Sequence, residues 1–220
     1  MISDNNVLTG FRFKRPSLLD YFMAFLPIDS FWKFGSVRYA RAQIDHQKRQ
    51  INVQIRVNFS GNKDYFDTCC EGIAGHWSRR IMLNGNQWTV KTTVEKHKKG
   101  LSITVRDKES DSDKSTFRFR FPKSHITVIN THGLVWMKRT AAHEVGHAII
   151  TDSFGRKESS THHGTSTTDN KILDTALPYP ATGEIDLMKY YPNTNTGRDF
   201  INRSIANEND VKVMIYIAMR

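Results

Sequence analysis

Cysteine is nearly absent from this chain: 220 residues hold two, Cys69 and Cys70, side by side. Adjacent cysteines form at best a strained bond, so no disulfide framework holds the fold. Their expected setting is a helix, with at least one thiol packed as a small hydrophobe, in a protein made in a reducing compartment or with no need of oxidation. Long apolar runs are absent as well. None approaches the ~20 residues of a membrane span, and the stretch 18–26 is short and broken by Asp20. Residues 1–6 lack the basic-then-apolar order of a signal peptide. Negative charge is in deficit, with 22 acidic against 32 basic residues and a net charge of +10. Such a field favours anionic partners: nucleic acid, a lipid surface or an acidic protein. The basic residues fall in small clusters at 38–41, 48–49, 96–99 and 118–120. They are interleaved with strand residues and read as solvated faces and turns, so no specific nucleic-acid partner is expected. No internal repeat is present.

What is present is material for a core. Hydrophobic residues make up 38% of the chain, with 13 Phe and 4 Trp, enough for one domain or one domain with two lobes. Residues 1–36 read as an aromatic arm that includes Phe11, Phe13, Tyr21, Phe22, Phe25, Phe31, Trp32 and Phe34. Such an arm packs on the main domain, 37–220, or docks on a partner. Ile51, Val53, Ile55, Val57 and Phe59 alternate with Asn52, Gln54, Arg56 and Asn58, a strand with one buried face. Ala40, Ala42 and Ile44 are its expected hairpin partner. Phe66, Cys69 or Cys70, Ile73, Trp77 and Ile81 fall three or four apart, predicting a helix that ends in the turn Asn84-Gly85-Asn86. Trp88, Val90, Thr92 and Val94, then Leu101, Ile103 and Val105 after Lys98-Lys99-Gly100, read as two antiparallel strands. Phe117, Phe119 and Phe121 alternate, and 125–129 is a further short strand. Residues 209–218 are expected to form a helix capped by Asn209 or Asp210.

The most informative five residues are His143-Glu144-Val145-Gly146-His147. Histidines four apart on a helix lie one turn apart on one face, so both rings can reach one metal ion. The adjacent glutamate lies about 100° round the helix, within reach of a water held by that ion. A chain of this composition would show the pattern by accident about once in a hundred cases. The context favours a helix: Ala141, Ala142 and Ala148 are strong helix formers, and Ala142, Val145, Ile149 and Ile150 make an apolar stripe. Gly155 follows where the helix should stop. Gly146 costs about 1 kcal/mol against alanine in a helix interior, which makes sense if another backbone or a substrate approaches there.

A catalytic zinc takes three protein ligands and leaves the fourth position to water. The third ligand must come from beyond the helix. His162 and His163 stand in the polar loop 159–167, and Glu184 and Asp186 follow in 182–191. His162 ranks first, with His163 and Glu184 behind it. Asp152 lies too near the helix stem. Each also reads plainly as a solvated side chain.

Three pieces, Gly72-Ile73-Ala74-Gly75-His76-Trp77-Ser78, Thr140-Ala141-Ala142 with HEVGH, and Gly183-Glu184-Ile185-Asp186-Leu187-Met188-Lys189-Tyr190, together resemble bacterial zincin domains of the metzincin-like kind. The similarity covers about 37–191. The chain departs from the extended metzincin motif at Ile150 and Ser153, where Gly and His would stand. The resemblance implies an α+β, zincin-like fold: a twisted, mostly antiparallel sheet with two main helices, one carrying HEVGH. An upper lobe at about 37–155 and a smaller irregular lobe at about 156–220 would flank the cleft. It implies a Met-turn with Met188 beneath the ion, and a Tyr190 hydroxyl that stabilises the tetrahedral intermediate. The implied activity is a Zn2+ metallopeptidase in which His143, His147 and a third ligand hold zinc and Glu144 is the general base. Its protein or peptide substrate would lie extended along an edge strand within 117–121 or 125–129. Some such domains are toxins of contractile secretion machines, including domains fused to VgrG-type spikes of type VI secretion. That implies an antibacterial effector made in the cytoplasm without a signal peptide and delivered to a target-cell periplasm. A secretion spike and an immunity protein would be its partners. Competing readings are a zinc-dependent peptidoglycan amidase or endopeptidase, a basic nucleic-acid-binding module with an accidental HExxH, and a zinc-holding adhesion domain without activity.

Overall fold

Alternation builds the sheet. In the computed structural model, which describes residues 39–111, 113–118, 124–154, 162–166, 171–192 and 197–219, β2 (Gln50–Gly61) buries Ile51, Val53, Ile55 and Val57. Its alternate residues Asn52, Gln54 and Arg56 are half-exposed. β1 (Ala40–Asp45) pairs with it antiparallel, Ala40 opposite Ile55 and Ile44 opposite Ile51, which is the expected hairpin. The chain continues through α1 (Phe66–Trp77), β3 (Arg79–Leu83), β4 (Asn86–Lys96), β5 (Leu101–Asp107), β6 (Thr116–Arg118) and β7 (His125–Asn130) to α2 (Leu134–Phe154). Beyond it lie β8 (Ile185–Asp186), α3 (Arg198–Arg203), β9 (Ser204–Ile205) and α4 (Glu208–Met219). The arm expected at 1–36, Phe119, Phe121 and Gly155 lie outside the described residues. Among the described residues no helix is long and apolar enough to cross a membrane.

The class is α+β, with four α-helices among the described residues and a mixed sheet rather than two main helices and a mostly antiparallel one. The seven-stranded sheet runs β3-β4-β2-β5-β7-β6, with β1 added on β2. Its β2–β4, β2–β5 and β5–β7 pairings are parallel. The expected β4–β5 hairpin does not form, and the reason lies at Val57. Lys96 and Leu101 both stand opposite it, so residues 97–100 shift the chain sideways across β2 without reversing it. Gly100 makes the crossing possible, because a Cβ there would lie 2.5 Å from the Val57 nitrogen. Helix α1 also ends sooner than its periodicity predicts. It stops at Trp77, and Ile81 belongs to β3. Asn84 and Gly85, at φ 50° and 75°, turn β3 into β4, the Asn-Gly chemistry of a tight hairpin. Helix α4 is capped by Asn207, whose side-chain oxygen accepts from the Asp210 amide at 2.9 Å.

Helices α1, α2 and α4 cover the buried face. Cys69, Ile73 and Trp77 of α1 join Met137, Ala141, Val145 and Ala148 of α2, Val211 and Met214 of α4 and the inward residues of β2, β4, β5 and β7 in one core. Both cysteines are free thiols, and burial pushes Cys69 up to about 12. A smaller cluster, Ile185, Tyr191, Phe200 and Ile201, forms after α2. Helices α1 and α2 touch at Gly72, where a Cβ would stand 2.2 Å from the Lys138 carbonyl oxygen. Gly75, one turn on, has nothing within 4 Å of its would-be Cβ. Gly72→Ala should therefore cost about 1–3 kcal/mol by forcing the helices apart, at about 2–4 °C of Tm per kcal/mol. Gly75→Ala should be neutral or stabilising by up to about 1 kcal/mol. Thermal unfolding followed by circular dichroism separates the two, and equal effects would contradict this packing.

Candidate metal centre

Residues 141–150 of α2 are all buried. The stripe expected from the sequence is therefore a helix wrapped on every side, and the polar residues of HEVGH are buried with it: His143, Glu144 and His147 are 5%, 7% and 6% exposed. Buried polar groups need partners. His143 Nδ1 donates to the Leu187 carbonyl at 2.9 Å. Since a carbonyl only accepts, Nδ1 carries the proton and Nε2 keeps its lone pair. That Nε2 lies 3.1 Å from His147 Nε2, which in turn lies 3.1 Å from His162 Nε2. His162 is 1% exposed, and its Nδ1 lies 2.6 Å from Ser166 Oγ.

The electrostatics follow from burial. Desolvation is the largest effect on all three rings, with neighbouring cationic or imidazole groups adding to it. It holds His143 well below the usual histidine range, His147 down to about 3 and His162 down to about 4. At neutral pH the group is three uncharged imidazoles with nitrogens facing inward. Their ligand atoms lie within 4.8 Å of one another. Two nitrogens sharing a tetrahedral ion at ~2.0–2.1 Å stand about 3.3 Å apart, close to the observed spacing. His143, His147 and His162 can hold a metal ion.

The structure places the other predicted site residues as follows. His163 is not brought to the pair, because its ring lies between Asp186 and Asp210. Glu184 is not either. It is an exposed carboxylate that accepts from Arg79 Nη2 at 2.9 Å. Tyr190 stacks its ring on His162, 4.0 Å between centroids, and lies 5.8 Å from the His143 ring. Its amide donates to Thr165 Oγ1. Met188 is fully buried beneath α2. A Cβ on Gly146 would stand 2.4 Å from its sulfur and 2.9 Å from Trp77 Cζ2. The close approach expected at Gly146 is thus made by two side chains rather than by a backbone or a substrate. The turn is local chemistry: Asp186 Oδ1 accepts from the Met188 amide at 3.0 Å, an Asx turn.

Three residues of the surroundings escaped sequence reasoning. Arg139, one turn before His143, is 9% exposed and donates to Ser204 Oγ at 3.2 Å and to the Leu187 carbonyl at 3.4 Å. Its guanidinium lies 4.8 Å from the Phe200 ring centre, and burial lowers it to about 10. Its i−4 spacing from His143 was the available signal. His76 donates from Nδ1 to the Ser204 carbonyl at 2.6 Å, tying α1 to β9. Ser166 had only its place four residues after His162 to mark it.

If Met188 and Gly146 share one space, their substitutions must couple. Met188→Ala should cost about 2–5 kcal/mol, and Gly146→Ala about 1–3 kcal/mol. The double variant should cost clearly less than their sum, because the shortened side chain makes room for the new methyl. Chemical denaturation of all four proteins tests this, and strict additivity would contradict it. The chain matches no family model, no curated protein and no solved structure.

Proposed function

We propose that this protein is a zinc-dependent metallopeptidase that hydrolyses peptide bonds with a water activated at His143, His147 and His162. The observation that carries the reading is the meeting of three uncharged imidazole nitrogens at 3.1 Å contacts beside a buried glutamate on the same helix. Three protein nitrogen donors are the donor set of a catalytic zinc site, which leaves its fourth position to water, whereas a structural site takes four protein ligands. Their backbone and side-chain anchors, Leu187 and Ser166, serve as the outer partners that orient such ligands.

When bound, the ion supplies Lewis acidity toward a water and a carbonyl oxygen. Glu144 accepts the proton of the attacking water and returns it to the leaving amine. Its burial keeps competing solvent away. Tyr190 offers its hydroxyl to the developing oxyanion, with its ring held against His162. The substrate strand has a natural place along β6, the terminal strand of the sheet, whose Phe117 ring stacks 6.1 Å from that of His147. β7 is paired on both sides, with β5 and β6, so among the described residues of the two segments expected to receive substrate, β6 is the one at an edge. Backbone pairing there gives affinity with little sequence choice. The antibacterial-effector part of the reading rests on the resemblance to secretion-machine toxin domains.

Glu144→Gln should retain one zinc per chain and lose hydrolysis of a denatured protein by about 10²–10⁴-fold. His147→Ala should lose the metal itself. Elemental analysis and a peptidase assay check both, and undiminished turnover by Glu144→Gln would overturn the mechanism. Parallel incubation with bacterial sacculi separates a peptidase from a cell-wall amidase. Directed to a bacterial periplasm, the wild-type chain should arrest growth and Glu144→Gln should not.

A further inference from the structure

His163 stands next to a ligand of the proposed ion and takes no part in holding it. Its ring sits between two carboxylates, Nδ1 3.0 Å from Asp186 Oδ2 and Nε2 3.1 Å from Asp210 Oδ1. An ionised carboxylate only accepts, so both contacts are hydrogen bonds when each ring nitrogen carries a proton.

The bridge joins three elements that matter to the cluster. His163 belongs to the turn that presents His162. Asp186 immediately precedes Leu187, whose carbonyl orients His143. Asp210 lies in the first turn of α4, where the helix dipole favours a carboxylate. Asn207 closes the network, donating to Asp186 Oδ2 at 3.0 Å and accepting from the Asp210 amide at 2.9 Å. His163 also has φ 51°, a left-handed backbone that a non-glycine residue adopts at a cost of about 1–2 kcal/mol. Something must hold it there, and Asp186 and Asp210 bond the ring while the Asn207 side-chain amide lies 3.4 Å from its Nδ1.

We propose that His163 is a positioning residue: clamped between Asp186 and Asp210, it sets the backbone of the turn that delivers His162 and thereby the affinity of the three-histidine site for its ion. This inference rests on the metal-site reading above. The rival use of the same residues is a second metal site, since His163, Asp186 and Asp210 also offer clustered ligand atoms. One buried oxygen, Asp210 Oδ2, has no hydrogen-bond partner among the described residues. The geometry speaks against it: the two carboxylates face different nitrogens of one ring, so the imidazole itself fills the space between them.

The test is zinc titration of the full chain against a chromophoric chelator, together with the visible spectrum of the cobalt(II)-loaded protein. The proteins compared are wild type, His163→Asn, Asp210→Asn and the double variant. Asparagine tolerates the left-handed backbone and cannot bridge both carboxylates, while Asp210→Asn keeps the shape and removes the charge. Wild type should bind one zinc. Each single variant should still bind one, about 10–100-fold more weakly, with a cobalt spectrum shifted from wild type. The double variant should be no weaker than the weaker single, because all three remove one bridge. Unchanged affinity and spectrum in His163→Asn overturn the proposal, as does a wild type that binds two ions and loses one in that variant. Loss of the fold by both single variants in the presence of zinc overturns it too, making His163 a folding element. A wild type that binds no zinc instead defeats the metal-site reading, so the two failures are told apart.

Discussion

The peptide of Leu187 is held from both sides, and the site depends on it. Its amide donates to Ile205 at 2.9 Å, extending the short β8–β9 pairing. Its carbonyl accepts from His143 Nδ1 at 2.9 Å and from Arg139 at 3.4 Å. The second contact pair decides the tautomer of His143 and aims its Nε2 inward. Because β9 is itself tied to α1 through His76, a bond that orients one ring is braced by the packing of the whole C-terminal segment on the helical layer. A free histidine on a solvated helix would rotate among rotamers. This one is held by main chain.

Burial then does the electrostatic work. A helix enclosed on all sides from 141 to 150 strips water from three imidazoles and keeps them uncharged, which is the state that can donate lone pairs. The same enclosure would penalise Glu144 and Arg139, and each has its own answer. Arg139 spends its donors on Ser204 and Leu187 and lays its guanidinium over Phe200. Glu144 and Arg139 carry opposite charges five residues apart on the same buried helix, and each softens the other's cost. Gly146 and Met188 belong to the same design. Removing one side chain from the helix lets a sulfur lie where a Cβ would be, so the turn can approach closely enough for the Leu187 carbonyl to reach His143.

Much of the fold was legible where a pattern is local. The β1–β2 hairpin followed from clean alternation and the helix carrying HEVGH from alanines and spacing. What failed were the decisions that local periodicity does not encode. Ile81 continues the helical spacing of α1 yet sits in β3, because the Asn84-Gly85 turn demands two strands around it. Leu101 to Val105 alternate like a hairpin partner of β4, but alternation carries no strand direction, and a four-residue crossing over β2 keeps the two parallel. The cap of α4 fell at Asn207 rather than two or three residues later, since that side chain also braces Asp186, a contact that no reading along the chain contains.

The candidate site divides the same way. By itself the sequence determined that His143, Glu144 and His147 share a helix and how their side chains are spaced round it, because 3.6 residues per turn allows nothing else. It narrowed the remaining partner to a few residues of two loops. Tertiary structure alone decided which of those loops brings an imidazole to the pair and which residue it is. His162 faces the pair while its neighbour His163 turns the other way, between Asp186 and Asp210, and Glu184 goes to Arg79. That choice is made by a left-handed backbone at His163 and by carboxylates 23 and 47 residues away, and such distant contacts exist only once the chain has folded.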